Sequence, residues 1–419
     1  MLPGLSLNSS RIHEFVTSVL QQCGGTFVFK GPWFGSLDSL LTSNPANVHH
    51  ILRKKAFNYH KGLDFKEIFA EIFGDGIFCS DGDRWKTQRR TIHSFIKHSK
   101  FEEAVERIIQ RKVSQGIFVI LQHFSEQRQE VDMKEVLKRF LFDFVCLLML
   151  GFDPNSLSIE FPRVPYKQAY YDMEEVIFQR HLKPQWFWKL QKWLQIGEER
   201  KMKISSEIFD HLLYQCIWRK KELLNRRKTP MDRDDFNLLT FMLFEDNNQE
   251  EREMSAFKKS EKYARDMAFN LLSAGKKSIL EEMKTNLNGE GDGDGKGRHF
   301  SFEELSKLND LHAAICESLW LYPPLPFEHT VSVGSDTLPS GHQIGKYTRA
   351  IYSPYSMGRM EEIWGGDCLE FKPERWISNK GELGDVSPYK FTSFNAGPRA
   401  YYDMELREFS QRTQMHPSC

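Results

Sequence analysis

The chain has 419 residues, 40% of them apolar with 9 Trp and 33 Phe, enough to bury a large core. Lys plus Arg and Asp plus Glu number 57 each, a balance that excludes nucleic-acid binding through bulk charge. Cysteines at 23, 79, 146, 216, 316, 368 and 419 form no C-x-x-C pair or zinc-finger spacing, which argues for reduced cytosolic thiols and against a disulfide framework.

In chain order, residues 11–22 read as a helix, and Thr26 to Pro32 alternates weakly and ends in turn chemistry, as a strand would. From Pro45 onward the pattern is mostly helical. Leu137, Phe140, Leu141, Phe144, Val145 and Leu148 recur at three and four, predicting an apolar stripe on a helix over 133–150. The longest strongly apolar run, Phe144 to Leu150, is far short of the ~20 residues that span a bilayer. As written, the chain therefore reads as soluble and cytoplasmic, without a membrane anchor. The basic run from Arg219 to Lys228 reads as the solvated face of a helix, with an anionic-surface or targeting patch as the alternative.

Met267, Ala268, Leu271 and Leu272 predict a helix leading to Ala274-Gly275, where Gly275 would serve as its C-cap. Asn288 to Gly297 is rich in Gly and Asp, but the twelfth position of a calcium loop starting at Asn288 is His299 rather than Glu. It reads as a flexible linker. Leu305, Leu308, Leu311, Ile315 and Leu319 mark another helix, stopped by Pro323-Pro324. After Thr330 come short strands and loops. The expected class is mainly α with small β elements near both ends.

Four segments carry the chemistry, in this order. Trp85 and Arg89 stand four apart, which on a helix places both on one face; such a pair is often merely structural. Ala274-Gly275 follows. Glu317 with Trp320, and Phe371-Lys372-Pro373-Glu374-Arg375-Trp376, come next. Last is Phe394-Asn395-Ala396-Gly397-Pro398-Arg399-Ala400-Tyr401.

Together these resemble the cytochrome P-450 family: W-x-x-x-R, A-G-x-D-T, E-x-x-R with P-E-R-F, and F-x-x-G-x-R-x-C. The resemblance implies haem as cofactor, with Trp85, Arg89 and Arg399 at its propionates, Phe394 packed by the axial ligand and Gly397 permitting the turn. It implies a buried Glu317–Arg375 pair, with Trp320 standing where the helix arginine belongs. Losing that arginine would destabilise the fold, by about 3–5 kcal/mol if Glu317 lost its partner. Only Ala274 and Gly275 remain of the oxygen-binding motif, since Lys277 and Ser278 occupy its acid and alcohol positions. Tyr401 occupies the position of the iron-binding cysteine. Tyrosinate does ligate haem iron in catalases, so two readings stand: an unusual ligand, or a side chain with no ligand role. Cys419 is too far along the sequence to substitute locally.

Gly31-Pro32-Trp33-Phe34, Gly74-Asp75-Gly76-Ile77-Phe78 and Met357-Gly358-Arg359-Met360-Glu361 narrow the likeness to the plant fatty-acid and alkane hydroxylase branch. That implies a monooxygenase acting on long-chain alkanes or fatty acids with O2, fed by an NADPH-dependent reductase, in a family anchored to the endoplasmic reticulum. The expected fold is one P-450-like domain over 1–419: a helical body to 275, a linker at 284–300, the Glu helix, β elements and haem loop at 301–400, and a tail at 401–419 without family pattern. It is expected to lack the anchor, much of the oxygen-binding helix and the helix after the haem loop. With ligand and proton relay altered, the chain as written is expected to be inactive. The alternative is a non-catalytic relative or misassembled gene product, including a haem-free lipid-binding module.

Overall fold

The computed structural model describes residues 11–30, 38–226, 235–245, 260–286, 309–378, 381, 383–384 and 386–400. The Gly/Asp-rich linker, Tyr401 and the tail lie outside the described residues. In chain order the elements begin with α1 (Ile12–Gln22), β1 (Thr26–Phe29), β2 (Ser39–Thr42), α2 (Pro45–His49) and β3 (Tyr59–His60). A helical stretch follows: α3 (Gly62–Phe73), α4 (Gly82–Ile96), α5 (Lys100–Lys112), α6 (Phe118–Glu126), α7 (Met133–Leu150) and α8 (Pro165–Leu182). It continues with α9 (Gln185–Leu194), α10 (Gly197–Arg226), α11 (Leu238–Glu245) and α12 (Glu261–Asn286). Then come α13 (Asn309–Leu321), β4 (Glu328–Ser332), β5 (Asp336–Thr337), β6 (Gln343–Ile344), β7 (Arg349–Tyr352), α14 (Pro354–Met357) and α15 (Glu361–Trp364). Two 3-10 turns, Pro373–Trp376 and Gly397–Arg399, complete the described chain.

The contacts divide the chain into two compact units, one holding the residues up to Gly62 and those from Phe300 on, the other holding Leu63–Met283. In the first unit, the strands expected near the two ends join one five-stranded sheet of order β1-β2-β7-β4-β3. β2 runs parallel to β7 with Ser39 opposite Arg349, whereas the other pairings are antiparallel. Thr26 and Thr42 face each other across β1 and β2 with their hydroxyls 2.8 Å apart, and Asn47 Nδ2 donates to both. This buried polar knot has its members satisfied, and it pins α2 to the sheet edge. Asn44 caps α2 by accepting from the Ala46 and Asn47 amides. Leu40, Val48, Ile51, Leu52, Tyr352 and Ala396 share one core cluster, which ties the sheet to the C-terminal loop.

The second unit is all helical among its described residues. α7 has the predicted bounds, since Asp132 caps its first turn and Gly151 ends it with φ 64°. The predicted stripe proves narrower than the observed burial: Arg139 to Cys146 are buried without a break. Polar members of that run are satisfied inside the protein, as Lys112 Nζ reaches Asp143 Oδ2 at 2.8 Å and Ser156 Oγ donates to Asp143 Oδ1. Arg219 and Arg226 on α10 are exposed, as a solvated helix face requires, and Lys221 pairs with Glu261.

α12 corrects the expected helix end at Gly275. The helix continues through Gly275 to Asn286. Lys276 to Met283 are mostly good helix formers, and one interior glycine costs only about 1 kcal/mol. Earlier in α12, Asp266 and Asn270 hold the loop after α3. The Asp75 amide donates to Asp266 Oδ2 and the Phe78 amide to Asn270 Oδ1, both at 2.9 Å. A Cβ on Gly76 would collide with the Asn270 side chain, so the backbone lies flat against the helix.

Hydrogen bonds from Lys262 and Lys66 hold the Asp75 carboxyl down at about 2. A depressed carboxylate stabilises the fold above its ordinary pKa of 3.8 and loses that contribution as pH falls toward 2. Asp75 is partly exposed, so screening leaves this worth about 1 kcal/mol. Asp75→Asn should lose that increment at neutral pH, and the wild-type excess over it should vanish in the acid limb of a urea-unfolding series.

Candidate functional site

The loop at 391–400 is shaped by its own sequence. Asn395 takes a left-handed conformation (φ 61°), and its Oδ1 accepts from the Ala396 amide at 2.8 Å and from the Tyr352 hydroxyl at 3.0 Å. Gly397 follows with φ 67°, and any Cβ there would collide with the Leu52 carbonyl. Glycine is therefore required twice over, by its dihedral and by the close approach of backbone. Gly397-Pro398-Arg399 makes a 3-10 turn that leaves Arg399 half-buried at its end. Phe394 meets Phe391 edge-on at 5.8 Å, and Ser393 Oγ donates to the Leu319 carbonyl at 2.7 Å. Phe394, Gly397 and Arg399 are thus gathered in one ordered loop.

Behind that loop lies Glu317 on α13, with no exposed surface. Its Oε1 accepts from Arg375 Nε at 3.0 Å and from the Lys372 amide at 2.7 Å. Its Oε2 accepts from Trp376 Nε1 at 2.6 Å. The other side of the Arg375 guanidinium is occupied by Asp367, through Oδ1 at 3.2 Å and the backbone carbonyl at 2.9 Å. Lys372 and Arg375 hold the Asp367 carboxyl below its usual range. Trp320 stands one turn after Glu317, yet its indole N–H is buried and donates to no acceptor among the described residues. Its ring lies instead 4.6 Å from the Arg375 guanidinium, a cation–π contact.

Both Glu317 oxygens therefore have donors despite the missing helix arginine. The Glu317–Arg375 pair that the resemblance implies is present, so Glu317 is not left without a partner. Trp376 was the residue that sequence reasoning passed over. The available signal was a paired change: tryptophan in place of the helix arginine and tryptophan in place of the phenylalanine ending the P-E-R-F-like loop.

Trp85 and Arg89 lie half-buried on α4, one turn apart, as their spacing predicts. Ala274 and Gly275 lie within α12. These four residues belong to the second unit, and the loop and the Glu317 node to the first.

The donors present do not fit a thiolate-bound haem. Of the described cysteines, all six are free and none lies within 391–400. Cys316 and Cys368 pack in the cluster around Trp320 and Trp376. Burial pushes the Cys368 thiol up, away from thiolate. The loop position that would carry the sulfur is Tyr401 by sequence.

Among the described residues no helix is long and apolar enough to cross a membrane. The sequence model of the family described as cytochrome P450 matches residues 2–279 and 275–400, two stretches that overlap at 275–279. Alkane hydroxylase MAH1 of Arabidopsis thaliana is 38% identical over 410 residues, covering 95% of this chain and 81% of that protein. Noroxomaritidine synthase 2 of Narcissus pseudonarcissus is 33% identical, covering 97% of this chain and 80% of the relative. Cytochrome P450 86B1 of Arabidopsis thaliana is 34% identical, covering 97% and 77%. With the mostly helical fold, the Glu317 node and the loop at 391–400, these matches show that the chain belongs to the cytochrome P450 family of haem-binding monooxygenases.

Proposed function

We propose that this chain is a relative of the long-chain alkane and fatty-acid hydroxylases that does not itself insert oxygen. The carrying observation is Tyr401 at the position of the axial cysteine. An axial thiolate pushes electron density toward bound oxygen and favours O–O cleavage, and a phenol with an ordinary pKa of ~10 is a poor replacement. Lys277 and Ser278 at the acid and alcohol positions of the oxygen-binding motif support the same reading, since they provide no carboxyl to relay protons. The family model matches in two stretches, 2–279 and 275–400, which is compatible with a second departure from the pattern near Gly275.

The hydroxylase ancestry is supported by the similarity to Alkane hydroxylase MAH1. Trp85, Arg89 and Arg399 each carry indole or guanidinium N–H groups, which are charge-assisted donors to carboxylates such as a porphyrin's. The implied electron source is an NADPH-dependent reductase. Incubation of the purified chain with haem, reductase, NADPH and either a long-chain alkane or a long-chain fatty acid should give no hydroxylated product. NADPH-dependent product above the reductase-only control would overturn the reading.

A further inference from the structure

We infer that Trp376 is a positioning residue, the second donor that holds buried Glu317 and, through it, the loop at 391–400. A carboxylate accepts at both oxygens and donates nothing when ionised. Glu317 is completely buried, so each oxygen needs a donor from the protein. Arg375 cannot serve both: its Nε lies on Oε1, while Nη1 and Nη2 are turned to Asp367. The Lys372 amide also lies on Oε1. Oε2 is left to Trp376 Nε1, at 2.6 Å, the short distance expected of a donor to a charged acceptor.

Three indoles share this cluster, and only one has this duty. Trp320 and Trp364 lie 4.9 Å apart between ring centroids, and the N–H of each is buried with no acceptor among the described residues. The Trp376 ring continues the path toward the loop. It packs on Phe391 at 4.7 Å, and Phe391 meets Phe394 at 5.8 Å. The same helix that carries Glu317 accepts at its Leu319 carbonyl from Ser393 of the loop. Removing the Trp376 donor would leave a desolvated oxygen at the base of this stack, and the stack would loosen to let water reach it.

The test is a set of three matched replacements, Trp320→Phe, Trp364→Phe and Trp376→Phe, each of which deletes one indole N–H and keeps an aromatic ring. The readouts are amide hydrogen exchange over 391–400 and the thermal midpoint. Trp376→Phe should speed exchange in the loop by about tenfold and lower the midpoint, as losing the partner of a buried charged acceptor does. Trp320→Phe and Trp364→Phe should leave both nearly unchanged. Adding Trp320→Arg to Trp376→Phe should restore slow exchange, because a guanidinium one turn along α13 faces Glu317. Equal effects of the three phenylalanine variants, or failure of the arginine to restore protection, would overturn the assignment. If Trp376→Phe does not fold, the wild-type protein with nitrogen-15 tryptophan decides. The Trp376 indole N–H should exchange far more slowly than those of Trp320 and Trp364, and equal rates would again overturn it.

Discussion

Replacing Arg180 with methionine should lower stability by about 3–5 kcal/mol, the cost of stranding a buried charge. Arg180 on α8 has a side chain only 1% exposed, and it joins three helices. Its Nε and Nη2 grip both oxygens of Glu199 on α10, at 2.8 and 2.6 Å. Nη1 donates to Glu71 on α3 at 2.8 Å and to the Ile68 carbonyl at 2.6 Å. The guanidinium also lies 4.9 Å from the Trp188 ring on α9. Burial alone would raise the Glu71 carboxyl, but Arg180 and Lys192 together hold it below its usual range. Among the described residues Glu199 pairs with no second cation and its side chain is 2% exposed, so it bears the cost of the deletion. The double variant Arg180→Met with Glu199→Met should recover most of the loss, since two apolar side chains can replace a buried pair without penalty. Urea midpoints of the single and double variants check this; equal losses in both would mean that packing, not charge, carries the site.

Glu317→Leu should be comparably damaging, again by about 3–5 kcal/mol, because it strands the Arg375 guanidinium on its Glu317 side. It also leaves the Trp376 indole N–H and the Lys372 amide without their acceptor. Glu317→Gln should cost less, about 1–3 kcal/mol, since one carbonyl oxygen still accepts while the new NH2 faces donors. The order Leu worse than Gln worse than wild type, read from denaturation midpoints, checks that hydrogen bonding rather than volume governs this node. A leucine variant as stable as wild type would remove Glu317 from its place as the anchor of the 391–400 loop.

Much of the helical body was legible because its signals are local. α7 combined an apolar period with Asp132 before it and Gly151 after it, so both its ends could be read directly. The Trp85–Arg89 spacing needed only a helix to bring the pair onto one face. The sheet was legible only in pieces. Its strands are two to five residues long, and the β2–β7 pairing links the two ends of the chain, which no local pattern encodes. Gly275 was misread because a glycine stop signal competes with the helix formers that follow it.

Buried charge was the least legible feature. Glu71, Arg180 and Glu199 look like surface residues in the sequence, and only the meeting of three helices takes them out of water. The same holds at Glu317, where one missing arginine suggested a lesion. A second tryptophan, distant in sequence but adjacent in the fold, supplies the donor. The loop at 391–400, by contrast, showed both its ancestry and its departure in a single line of residues. Phe394, Gly397 and Arg399 keep the family spacing and form the expected tight turn, while the position of the sulfur is Tyr401.

The reduced, carbon-monoxide-bound difference spectrum of the haem-treated protein tests the central claim most directly, because a thiolate-type Soret band reports sulfur on iron. The account predicts no such band for the chain with Tyr401. A thiolate-type band from the same protein would contradict it.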